Sequence, residues 1–167
     1  MVLKSVIKTF LIIITLQIAL QAKIIDINHI VQQAQKSNKH LFLWLHKTDC
    51  GYCENMREFT LENEVIKQFI EKKFIFVHIN VYEKDYVLYE EFKGNGLEFA
   101  KEIGYNFYPS SLFFDNEGEI IFAEVGFIEN KNFSNEERFF KILNYIDSKS
   151  YLKMDYDEFK FKTKKEF

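Results

Sequence analysis

Apolar residues recur at helical spacing after Asp26, at Ile27, Ile30, Val31 and Ala34, until Asn38, Lys39 and His40 end the run. This pattern predicts a first amphipathic helix. Residues 41–45, Leu-Phe-Leu-Trp-Leu, are apolar at every position, as in a central strand covered on both faces. Beyond Cys53 the helical pattern resumes at Met56 and Phe59 and again at Val65, Ile66, Phe69 and Ile70, as far as Lys72 and Lys73. A bend is expected near Thr60. Residues 74–81 predict a second strand apolar on both faces, with His78 and Asn80 as its polar side chains.

Residues 82–95 show no clear period and read as an inserted loop. A short helix over 97–103 is stopped by Gly104. Leu112, Phe113 and Phe114, the turn Asp115-Asn116-Glu117-Gly118 and residues 119–126 predict a hairpin. Ser134 and Glu137 have the spacing of a capping box, opening a helix through Phe139, Phe140, Leu143 and Ile146. Residues 151–161 read as a packed extension, and Lys160, Lys162, Lys164 and Lys165 as a solvated tail. Strands alternating with helices, then a C-terminal hairpin and helix, make an α/β unit with a central mixed β-sheet flanked by helices.

The chain's 167 residues suffice for one domain with its own core. The 19 Phe and 9 Tyr give that core bulk, and the composition is not that of a disordered chain. A formal charge of -3, with acids and bases interspersed, indicates neither nucleic acid nor an anionic membrane as a partner. No assembly element is evident, so a monomer is expected.

The N-terminus adds a location. Lys4 and Lys8 precede an apolar run from Phe10 to Leu20, and small Ala22 follows at a cleavage point. Residues 1–22 therefore read as a secretory signal peptide and 23–167 as the mature domain. The run is short for a membrane span of about 20 residues; an uncleaved N-terminal anchor is the alternative. The mature protein is expected in the periplasm or otherwise outside the cytoplasm, where disulfides persist.

Cys50-Gly51-Tyr52-Cys53 holds the only cysteines, where the first strand gives way to a helix. A structural bridge over so short a loop would remove little unfolded-state entropy. A helix N-terminus presents free N–H groups and partial positive charge that favour a thiolate. Cys50, at the helix mouth, is thus the expected exposed nucleophile, and Cys53, one turn further in, the resolving thiol. Pro109 is the only proline; preceded by Tyr108 and opening a strand, it is a candidate for a cis bond. Tyr52, Phe107 and Tyr108 are candidates to line, with Pro109, a substrate groove, core packing being the alternative for Phe107. Cys50 and Cys53 joined by His46 or His78 would form a copper or zinc site, as in an exported metallochaperone, but a zinc site usually brings a second ligand pair at regular spacing, and the sequence has none.

Cys50-Gly51-Tyr52-Cys53, Pro109 before Ser110-Ser111-Leu112-Phe113-Phe114, and Asn116-Glu117-Gly118-Glu119 followed by Val125-Gly126 resemble the thioredoxin superfamily. Thr48-Asp49 before the motif, the loop after Val81, residues 98–104 and residues 151–159 are similar to its exported SoxW-like thioredoxins. The resemblance implies a thioredoxin-like fold, a cis Pro109 beside the cysteines and thiol-disulfide exchange on protein substrates, with no cofactor. It also suggests a membrane electron-delivery protein as donor. The Gly51-Tyr52 dipeptide is similar to that of DsbC-type isomerases, though no dimerisation domain accompanies it. Trp44 stands where the superfamily often has a buried acid, Asp49 where ordinary thioredoxins have Trp, and Tyr108 and Ser110 where threonines commonly flank the proline. With no histidine between the cysteines, and Asp49 and Glu54 beside them against Lys47, the thiolate is weakly stabilised, which predicts a reductant.

Overall fold

The computed structural model describes residues 22–127 and 135–163. The apolar N-terminal run, Ser134 of the expected capping box and Lys164 and Lys165 lie outside them. Two sheets are present among the described residues. The larger is built on β2 (His40–His46), β3 (Phe74–Asn80), β6 (Ser110–Phe114) and β7 (Ile120–Val125), in the order β3-β2-β6-β7. Strands β2 and β3 run parallel, while β6 is antiparallel to both β2 and β7. The mixed sheet expected from the alternation of elements is therefore present.

Side chains alternate across this sheet because successive residues of a strand point to opposite faces. Phe42, Trp44, Phe74 and Phe113 lie in one buried cluster with both cysteines, under α2 (Gly51–Met56), α3 (Glu64–Lys73) and α5 (Asn135–Asp147). Leu41, Leu43, Leu45, Ile79, Leu112 and Phe114 belong to the cluster on the other face, with α1 (Ile27–Lys36) and α4 (Gly96–Glu102). Phe42 and Phe113 stack at 4.8 Å and 15° with no exposed surface on either; truncating one such ring to alanine costs about 3–5 kcal/mol.

The expected bend near Thr60 takes a definite form. Helix α2 passes into a π turn over Arg57–Leu61, and the chain restarts as α3 with Asn63 as cap, its Oδ1 accepting from the amides of Val65 at 3.1 Å and Ile66 at 3.3 Å. The inserted loop is a correction. Residues 82–95 contain β4 (Tyr86–Tyr89) and β5 (Phe92–Asn95), an antiparallel hairpin that joins β1 (Ile24–Asp26) in the order β1-β4-β5. Its turn is Glu90-Glu91, with Glu90 at φ 50°, instead of the Asn-Gly or Asp-Gly that would have marked it. A capping box closes this insertion, with Asn95 and Glu98 each accepting from the other's amide. The C-terminal extension is packed in part: α6 (Tyr156–Thr163) sets Tyr156 against Phe122 at 5.1 Å, and Tyr151 and Phe159 lie against the core, while Leu152 and Phe161 are exposed. No helix of the described residues is long and apolar enough to cross a membrane.

Candidate active site

Strand β2 delivers the chain to Lys47, Thr48 and Asp49, and this approach is pinned from β3. Asn80 donates from Nδ2 to the Thr48 hydroxyl at 3.0 Å, while the Val81 amide donates to the His46 carbonyl at 2.9 Å. Asp49 sits at φ 55°, a left-handed conformation that Asp tolerates better than most residues. Cys50 then caps α2: its sulfur accepts from the Cys53 amide at 3.2 Å. The Cys53 N–H and the helix dipole thus meet at Cys50 Sγ, where a thiolate would form.

Cys50 and Cys53 are joined in a disulfide. Cys50 keeps 7% of its surface and Cys53 2%, so the exposure expected of Cys50 is slight in the oxidised state, where its bond partner covers the facing side of the sulfur. The Tyr108–Pro109 peptide bond is cis, and the Tyr108 carbonyl oxygen lies 4.0 Å from Cys50 Sγ. The Pro109 carbonyl accepts from the Gly126 amide at 2.7 Å, tying this corner to the end of β7.

Tyr52 is 64% exposed and Phe107 72%, so Phe107 is not a core residue. Tyr108 is half-buried, with a hydroxyl that has no partner among the described residues; burial, then neighbouring Tyr82, pushes its pKa up. Ser110 donates to the Phe107 carbonyl at 2.6 Å, which fixes the turn presenting Phe107 and Tyr108.

Trp44 is buried in the cysteine cluster, stacked on His46 at 4.4 Å. His46 Nε2 is 3.2 Å from His78 Nδ1, and burial first, then the nearby His78, lowers the His46 pKa. The structure thus brings the two candidate histidines together, and the cysteines to each other. No group of three or more His, Cys, Asp or Glu side chains suited to a metal forms among the described residues.

Sequence reasoning missed ion pairs at two places. Arg57 pairs with Glu54 and, at 3.4 Å, with Glu62, so the Glu54 charge beside the cysteines is offset by more than Lys47. The i,i+3 spacing of Glu54 and Arg57 on a helix was the available signal. Glu124 on β7 pairs with Arg138 on α5, and burial pushes its carboxyl up against the opposing pull of that arginine. No local pattern announces a pair so distant in sequence.

Residues 27–141 match the thioredoxin-like domain family. The chain belongs to that family. Among solved structures it is similar to a thioredoxin-fold protein from Helicobacter pylori, at TM-score 0.63 and 19% identity, covering 87% of this chain and 86% of that one. It is also similar to DsbH oxidoreductase, at TM-score 0.53 and 16% identity over 81% of this chain and 87% of that one. A putative disulphide-isomerase from Bacteroides thetaiotaomicron gives TM-score 0.53 and 18% identity over 81% and 94%. No curated protein matches by sequence. At these identities the structural likeness is one of fold, and in the thioredoxin-like chain the chemistry has to be argued from the cysteines themselves.

Proposed function

We propose that the protein is an extracytoplasmic thiol-disulfide oxidoreductase that reduces disulfides of exported proteins. The observation that carries this reading is the disulfide of Cys50 and Cys53 at the mouth of α2, with the Tyr108 carbonyl and Pro109 beside it. In the reduced enzyme Cys50 thiolate attacks one sulfur of a substrate disulfide, forming a mixed disulfide and expelling the other substrate sulfur as a thiolate. Cys53, once deprotonated, attacks Cys50 Sγ; the second substrate sulfur leaves, and the enzyme is left with its own disulfide. Two electrons have passed to the substrate, and an external dithiol must return them. Trp44, in place of a buried acid, cannot take the Cys53 proton, so the departing substrate thiolate or water receives it.

Export is supported by Lys4 and Lys8 before the apolar run to Leu20. Within the family this is the reading of an exported SoxW-like thioredoxin, fed by a membrane electron-delivery protein and acting as a monomer. Tyr52, Tyr108 and Pro109 line the groove that receives the substrate, and exposed Phe107 extends it. The reducing direction rests on the absence of a histidine between the cysteines and on Asp49 at the motif. Equilibration with glutathione buffers tests it: a potential near roughly -270 mV supports a reductase, and one near roughly -120 mV would make the protein an oxidant.

A further inference from the structure

His46 and His78 lie on one face of the sheet, yet they are not register partners: His46 stands opposite Asn80, and His78 opposite Trp44. Their rings lean toward each other to bring Nε2 of His46 within 3.2 Å of Nδ1 of His78. The orientation of His46 is fixed from behind by Trp44, stacked at 16° to it. Both rings border a groove of about 590 Å³ whose apolar lining includes Trp44, Leu61, Ile70 and Phe76. This face was expected to be covered; instead Phe76 is 40% exposed and His78 is open to solvent.

Two imidazole nitrogens 3.2 Å apart are spaced to share one ion once the rings, aimed at each other in a hydrogen bond with centroids 5.4 Å apart, turn to face a common point. With metal–nitrogen bonds of about 2.0–2.1 Å they subtend about 100° at it, between square and tetrahedral geometry. We propose that His46 Nε2 and His78 Nδ1 form a two-imidazole site for a divalent transition-metal ion, with Cu(II) held above Zn(II) in the order that nitrogen donors follow. The proton balance is simple. The neutral pair shares one N–H between these two nitrogens; on binding, the donor ring carries that proton on its other nitrogen instead, and both nitrogens give their lone pairs to the ion. No further His, Cys, Asp or Glu completes the set among the described residues, so the remaining positions face the groove and take water or a small exogenous ligand. The cysteines are not part of the site, being bonded to each other, and the proposal stands apart from the redox reading.

The test is Cu(II) titration of the oxidised full chain near neutral pH, followed by calorimetry and electron paramagnetic resonance. The expected result is one ion per chain, with nitrogen hyperfine structure from two imidazoles. His46→Asn and His78→Asn should each weaken binding by roughly tenfold or more. The double variant Cys50→Ser/Cys53→Ser should bind as the wild type does. His78 is exposed, so His78→Asn keeps the fold, which circular dichroism checks. No stoichiometric uptake by the wild type, unchanged binding in His78→Asn, or binding lost with the cysteines would each overturn the site.

Discussion

The amide of Cys53 points its hydrogen at the sulfur of Cys50 across 3.2 Å, so the second cysteine's backbone supports the first cysteine's charge. In the proposed mechanism Cys50 is the attacking thiol. Cys53→Ser should therefore accumulate a mixed disulfide with substrate through Cys50, while Cys50→Ser should accumulate none through Cys53. Mass spectrometry after quenching in acid reads this directly, and equal trapping by both variants would reject the assignment of roles.

Tyr108 sets its carbonyl beside Cys50, and its ring is assigned to the proposed substrate groove. Tyr108→Ala leaves the carbonyl and removes the ring. Turnover of a protein disulfide should fall by about tenfold, the effect of losing roughly 1.4 kcal/mol of contact, while reaction with a small aromatic disulfide should change much less. Equal losses with the two substrates would remove the groove from the mechanism.

Asp49 is the acid at the cysteine motif for which no ion pair is found among the described residues, Glu54 being held by Arg57. Asp49→Asn removes the charge and still tolerates the left-handed backbone at φ 55°. A less negative surrounding favours the thiolate and hence the reduced form, so the potential should rise, by about 10–20 mV for an exposed charge. A fall in the glutathione equilibrium measurement would contradict this electrostatic account.

Glu124 and Arg138 tie the edge strand β7 to α5, their side chains 13% and 30% exposed. Arg138→Met strands a carboxylate with little access to water and should cost about 3 kcal/mol. Glu124→Gln combined with Arg138→Met should recover most of that loss, since no charge is left behind. Urea unfolding of the two variants separates a true ion pair from simple side-chain packing.

His40 is buried between Phe74 and Tyr151, and burial lowers its pKa from 6.5. The unfolded chain takes up this proton more readily than the folded one. The contribution to stability is then complete above pH 6.5 and is lost as pH falls through the lower folded value. The urea midpoint should fall from about pH 7 toward pH 5, and His40→Phe, which keeps a ring and removes the titration, should flatten that slope. An unchanged slope would place the acid sensitivity elsewhere.

Local order was legible wherever it is set by near neighbours. The apolar run of β2 announces a central strand, whereas the similar run of β3 proves to be the edge of its sheet; Cys50-Gly51-Tyr52-Cys53 announces a pair within reach of closure, because two residues between thiols at a helix start leave few other geometries. The hairpin of β4 and β5 was hidden by a turn made of two glutamates. The open face at Phe76 was hidden too: an apolar strand looks the same in sequence with one covered face or two.

What the chain determined by itself, then, is the order of the main-sheet strands and the helices between them, the cysteine pair at a strand-to-helix junction and the proline that opens β6. These follow from periodicity, from capping and from the restricted backbone of proline, all of which act over a few residues. The tertiary structure decided which distant groups meet: the Tyr108 carbonyl with Cys50, Arg138 with Glu124, and His46 with His78 across two strands. Such meetings depend on sheet register and helix packing, where residues 14 to 58 positions apart in the chain come within 4.0 Å of each other, and no short-range pattern encodes them.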